Sequence, residues 1–145
     1  MVNSGLYTSN SDEWATPQLF FNELDREFNF ELDVCATDQN AKCTRYFTRE
    51  QDGLSQDWGR LKVWCNPPYG KGIDRWISKC IKHAERGSLA VMLIPARTDT
   101  RWFHDLIYHN PLAEIRFVRG RLRFITENST NWNAPFPSMI VVFSQ

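Results

Sequence analysis

The chain has 145 residues and no net charge, enough for one soluble domain with little left over for a second. No apolar run of about 18 residues is present, so a membrane span is excluded. The polar opening MVNSGLYTSNSDEW lacks the apolar stretch of a secretory signal. Four cysteines (Cys35, Cys43, Cys65, Cys80) form no CxxC pair, which fits reduced thiols in a cytoplasmic protein and argues against a bound metal.

In chain order, residues 1–11 are expected to be a flexible tail and residues 12–145 a single domain. Thr16-Pro17 reads as a helix start, with Thr16 as N-cap and Pro17 at the first helical position. Phe20, Leu24 and Phe28 then recur every fourth residue as one apolar stripe. Residues 30–34 (FELDV) alternate like a strand and run into a loop of turn-formers. Residues 42–58 show no clear period. Residues 61–65 (LKVWC) form a second strand, stopped by Pro67 and Pro68, which cannot donate to a ladder. Residues 73–86 place Ile73, Trp76, Ile77, Cys80, Ile81 and Ala84 on one helical face. Residues 88–94 are almost continuously apolar, as in a strand covered on both sides. A helix is expected over 102–109, followed by strands over 114–118, 121–125 and 138–143.

Strands alternating with helices, followed by late strands, indicate an α/β three-layer sandwich. Its sheet should be mostly parallel, with an antiparallel strand at the C-terminal end. In such open sheets ligands bind at the carboxyl ends of the strands. The loops after Val34 and after Cys65 both belong on that edge.

The second of these loops, Asn66-Pro67-Pro68-Tyr69, carries the clearest chemistry. An amine attached to an aromatic ring is a poor nucleophile, because its lone pair is delocalised into the ring. Two acceptors aimed at its two N–H bonds draw the nitrogen toward tetrahedral geometry and free the lone pair. The Asn66 side-chain oxygen is one such acceptor. A backbone carbonyl whose direction the prolines fix is the other. Tyr69 offers a ring face on which a planar base could stack. Such preorganised acceptors would stabilise positive charge developing on nitrogen, each by on the order of 3 kcal/mol.

The loop resembles the (N/D/S)PP(Y/F) catalytic loop of amino-methyltransferases. A longer series narrows the likeness: EWATP (13–17), LDVCA (32–36), DGLSQDW (52–58), CNPPYG (65–70), LIPARTDT (93–100), RGRLRF (119–124) and APFPS (134–138). In that order they resemble the phage-type DNA N6-adenine methyltransferase (Dam-like) family over nearly the whole chain. The resemblance implies an abbreviated Rossmann-like fold, S-adenosyl-L-methionine as methyl donor and direct transfer to N6 of an adenine in double-stranded DNA. It assigns Asn66, Pro67, Pro68 and Tyr69 to the adenine. It assigns Trp14, Thr16, Pro17, Asp33, Cys35, Ala36, Asp52 and Leu54 to the cofactor. The loop after the first strand lacks the glycine turn that many methyltransferases place there, and Asp38 within it is a candidate for the ribose.

A target adenine must leave the duplex to be reached, at a cost of about a few kcal/mol. Phe124 and Trp132 are candidates to face the extruded base, although Phe124 equally suits a core strand. Charge is divided along the chain: residues 1–58 hold eleven acidic and four basic side chains, residues 59–145 six and thirteen. Arg97, Arg101, Arg119 and Arg121 are therefore the candidates for phosphate contact. Residues 126–137 are a polar, aromatic-bearing candidate for base contacts. With no room for a recognition domain, a short target sequence, weak specificity or dimerisation is expected. RNA adenine, protein glutamine, or binding to DNA without catalysis remain alternatives. The resemblance implies a phage or prophage gene acting in a bacterial cytoplasm, protecting DNA from restriction or mimicking host methylation.

Overall fold

A computed structural model describes residues 14–125 and 131–145. The chain builds a six-stranded sheet from β1 (Leu32–Ala36), β2 (Tyr46–Thr48), β3 (Val63–Cys65), β4 (Ala90–Pro95), β5 (Ala113–Phe117) and β8 (Ser138–Phe143), in the order β2-β1-β3-β4-β8-β5. The neighbours among β2, β1, β3 and β4 pair in parallel, and β8 lies antiparallel between β4 and β5. A separate hairpin joins β6 (Arg123–Ile125) to β7 (Asn131–Asn133). Every residue of β4 and of β8 is buried, which accounts for their unbroken apolar sequences.

Two helices cover opposite faces of the sheet. In α1 (Gln18–Phe28), Phe21 packs against Phe30 and Trp64. The side chain of Cys65, the next residue of β3, instead contacts Cys80 of α2 (Ile73–Glu85). Adjacent strand residues point to opposite faces, so α1 and α2 sandwich the sheet. Because β1 and β3 are parallel, the loops after both strands share the carboxyl edge.

Three local expectations change. Pro17, not Thr16, caps α1, and no side chain caps it. Thr16 is buried and its hydroxyl is used elsewhere. Residues Phe103–Ile107 form a π-helical turn rather than an α-helix, with the Tyr108 N–H donating to the Phe103 carbonyl five residues back. The uncommitted stretch 42–58 yields β2 and a 3₁₀ turn at Gly53–Ser55. That turn runs so close to β1 that a Cβ on Gly53 would lie 2.0 Å from the Val34 carbonyl oxygen.

Candidate active site

The Asn66-Pro67-Pro68-Tyr69 bend leaves β3 at the carboxyl edge and borders a cavity of about 500 Å³. That volume is in the range of small-molecule and cofactor sites. Asn66 and Pro68 stand on one wall. Trp14, Thr16, Asp33, Cys35, Ala36, Asp38 and Asp52 complete the part of the lining that the sequence singled out. The lining also includes Lys42, Trp64 and Trp76, which the sequence reading left aside.

The Asn66 amide is held at both ends. Its Nδ2 donates to the Trp14 carbonyl and, at 3.0 Å, to Thr16 Oγ1. A carbonyl can only accept, so this contact fixes which end of the amide is nitrogen. Oδ1 accepts the Tyr69 hydroxyl at 2.6 Å. The Tyr69 oxygen also lies 3.1 Å from the Leu93 carbonyl. Burial, ahead of the nearby Cys65 and Cys35, pushes the phenol well above its ordinary pKa, so it stays a donor. A carboxamide oxygen has two lone pairs. With one taken by Tyr69, the other is available to an amine.

Tyr69 therefore occupies a different place from the one expected. Its side chain is buried, with Phe136 and Phe124 edge-on to the ring at centroid distances of 5.6 and 6.3 Å. Phe124 is also fully buried and meets Trp14 at 5.5 Å. Neither ring presents a free face to a base: both close the core beneath the bend. Trp132 pairs with Phe124 through the β6–β7 ladder, but its side chain lies outside the described residues. Of the candidate base-contacting stretch 126–137, residues 126–130 also lie outside them.

Asp33, on the neighbouring strand β1, is buried. Its Oδ1 accepts from Cys35 N–H at 3.2 Å and its Oδ2 from Lys42 N–H at 3.0 Å. Burial raises its pKa to about 6, against the pull of those two backbone donors. Lys42 Nζ donates to Gln18 Oε1 at 3.0 Å, tying the loop to α1. Asp52 is exposed and takes a left-handed backbone with φ 54°, a conformation Asp tolerates. Its Oδ1 accepts from Leu54 N–H. Asp38 accepts the Tyr46 hydroxyl at 2.6 Å.

Pro17, Leu54 and Pro67 are not among the residues lining the cavity, and Leu54 lines a neighbouring groove. Of the arginines, Arg97, Arg101, Arg119 and Arg121 are all exposed. Arg97 sits 5.6 Å from the Phe136 ring centre, and Arg121 donates to the Ala134 carbonyl at 3.3 Å. None of the four cysteines is in a disulfide. Among the described residues no three His, Cys, Asp or Glu side chains converge as a metal site, and no helix is long and apolar enough to cross a membrane.

A largely parallel sheet with an antiparallel strand set into it, and a cavity at its carboxyl edge, define a Rossmann-like methyltransferase fold. The family model described as DNA N-6-adenine-methyltransferase (Dam) matches residues 3–145, and the chain belongs to that family. The DNA N-6-adenine-methyltransferase of Haemophilus phage HP1 (strain HP1c1) is 34% identical over 99% of this chain and 84% of its own length. The DNA N-6-adenine-methyltransferase of Escherichia phage T1 is 34% identical over 77% of this chain, but over 46% of its own length.

Proposed function

We propose that this chain transfers a methyl group from S-adenosyl-L-methionine to the N6 amine of an adenine taken out of double-stranded DNA. One observation carries the reading. Asn66 stands at the wall of a cofactor-sized cavity with its amide held by three hydrogen bonds and one oxygen lone pair unclaimed.

The cavity residues fit the proposed donor. The backbone of Gly53, which lines the cavity, packs against β1 and Trp76 where no side chain would fit, bringing the 3₁₀ turn close to the first strand. Trp14 lines the same cavity, and its buried Nε1 has no hydrogen-bond partner among the described residues. Asp33, Asp38 and Asp52 supply acceptors for an ammonium group, ribose hydroxyls and an exocyclic amine. When bound, the sulfonium cofactor supplies an electrophilic methyl group.

The chain's own residues act on the acceptor. Asn66 Oδ1 takes one N–H of the adenine amine and a backbone carbonyl of the proline bend takes the other. The two bonds hold the nitrogen with its lone pair directed along the cavity. Tyr69 and Thr16 are positioning residues that hold the Asn66 amide. The exposed Arg97, Arg101, Arg119 and Arg121 are available to phosphates. A phage-derived enzyme of this type would work in the bacterial cytoplasm, where DNA and cofactor meet.

The test is incubation with isotopically methyl-labelled cofactor and, in parallel, plasmid DNA, RNA and protein. Label should appear in DNA as N6-methyladenine. Asn66→Ala should lower turnover by about 10²–10³-fold, the loss seen when one preorganised polar partner is removed, with cofactor affinity nearly unchanged. Label appearing in RNA or protein instead, or an Ala variant as fast as the parent, would refute the reading.

A further inference from the structure

A second groove, of about 700 Å³, lies beside the first cavity and contributes nothing to the chemistry described so far. Its lining includes Leu54, Arg75, Ser78, Lys79, Lys82 and Arg86. The 3₁₀ turn divides the two spaces, with Gly53 on one side and Leu54 on the other. The α2 helix contributes to both: Trp76 faces the cofactor cavity and Arg75 faces the groove.

At 100° per residue, Arg75, Lys79, Lys82 and Arg86 fall within an arc of about 60° and extend over roughly 16 Å of helix. The acidic residues of α2, Asp74 and Glu85, do not line this groove. Asp57 is the one carboxylate in the lining, and its Oδ1 already accepts from the Gly59 N–H. Lys79 is committed to structure: its Nζ donates to the Leu54 carbonyl at 2.8 Å and to the Gln56 carbonyl, and lies 4.9 Å from the Trp58 ring centre. Arg75, Lys82 and Arg86 make no ion pair among the described residues.

A helix face of this kind is ordinarily just solvated. Here residues 54–58 line an open groove together with this helix face, and Lys79 bonds across to the loop's carbonyls. Burial holds His83 at the groove below the usual histidine range despite its bond to the Leu61 carbonyl, and Arg86 and Lys79 add to that effect. Asp57, which acts on both Lys79 and His83, offsets only part of the charge of Arg75, Lys79, Lys82 and Arg86, so the lining stays net positive. Three free cations in a line along a groove suit a regularly spaced polyanion better than a single phosphate.

We propose that this groove on α2 is a track for the DNA sugar-phosphate backbone flanking the target base, separate from the Arg97, Arg101, Arg119 and Arg121 set. The proposal rests on the reading of the chain as a DNA methyltransferase. It extends the DNA footprint past the cofactor cavity along the side of the sheet that α2 covers.

The experiment compares the parent chain, the triple variant Arg75→Gln/Lys82→Gln/Arg86→Gln, and a control, Arg26→Gln/Arg45→Gln/Arg60→Gln. The control removes the same charge at exposed positions outside the groove. Binding to a fluorescent duplex is measured over a range of salt concentrations, with circular dichroism to establish folding. Each lost phosphate contact lowers the slope of log affinity against log salt by about 0.9, so the groove variant should lose about 2.7 and the control close to none. Single Gln variants, each losing about 0.9, serve if the triple variant does not fold. An unchanged slope in the groove variants, or an equal loss in the control, overturns the proposal. Methyl transfer to DNA with an unchanged groove slope would sink this inference alone. A groove-dependent slope without methyl transfer would sink the enzymatic reading and leave the track standing.

Discussion

Tyr69→Phe separates the two jobs that a tyrosine could do in this loop. The substitution keeps the ring against Phe124 and Phe136 and deletes the hydroxyl that donates to Asn66 Oδ1 at 2.6 Å. A net hydrogen bond is worth about 1 kcal/mol, and each 1.36 kcal/mol is tenfold in rate, so the orienting bond accounts for a factor of roughly 5 to 10. Asn66 keeps its two Nδ2 bonds to Trp14 and Thr16, so the amide is loosened rather than released. Steady-state kinetics with labelled cofactor should therefore show kcat lowered by roughly 5- to 10-fold, with KM for DNA and cofactor affinity within about twofold of the parent. Thr16→Val, which removes one Nδ2 partner and keeps the shape, should give a comparable drop. Tyr69→Ala additionally empties a buried ring site, at a cost of about 3–5 kcal/mol in stability. Wild-type kcat in the Phe variant, alongside a folded but inactive Ala variant, would refute the argument. The ring would then be the active element and the hydroxyl incidental.

Asp33 governs a pH effect. Its pKa is raised by burial to about 6 in the folded state, against 3.8 for a free side chain. The folded state thus favours the protonated acid. The stability this contributes is complete below pH 3.8 and disappears as pH rises through about 6, on the order of 3 kcal/mol in all. Carboxyl-detected NMR should give a midpoint near 6, and Asp33→Asn should flatten the pH dependence of Tm between those limits relative to the parent. Gly53→Ala places a methyl 2.0 Å from the Val34 carbonyl. Moving β1 or the turn to admit it should cost about 2 kcal/mol or more, visible as a lower Tm, with impaired cofactor binding. Thiol labelling of the folded protein should spare Cys65 and Cys80, both fully buried, and proceed slowly at Cys43, whose pKa burial raises to about 12. Cys35 lines the cofactor cavity and should be protected by saturating cofactor.

The elements that could be read from the chain are those whose apolar pattern the fold uses directly. The runs in β4 and β8 and the single apolar face of α2 are fully or largely buried. The stretch 42–58 has no such period because polar contacts set its shape: Lys42 N–H to Asp33, Trp58 Nε1 to the Gly53 carbonyl, and Lys79 to two carbonyls. These are single contacts spanning 5 to 25 residues rather than a repeating period, so no local pattern announces them. Thr16 shows the same limit. A hydroxyl before a proline resembles a helix cap, yet its acceptor role is used by an amide fifty residues away. The 102–109 segment is amphipathic either way, and periodicity does not distinguish a π turn from an α turn. Asn66 was legible as an acceptor. That Tyr69 serves it from beneath, covered by Phe124 and Phe136, depends on where the β6–β7 region folds back.

The antiparallel strand β8 has a consequence for how the molecule assembles. It is the last strand in chain order, yet it is wedged between β4 and β5 and hydrogen-bonded to both. Until it arrives, β4 has a bare edge and β5 has no neighbour in the sheet. The parallel pairs join strand residues 12 to 31 positions apart and β5 meets β8 across 22 to 30, but β4 meets β8 across 43 to 53, the longest closure in the sheet. Such a late, long-range closure is expected to be the slow step of folding, and the half-built sheet meanwhile offers an unpaired apolar edge to which other chains can stick.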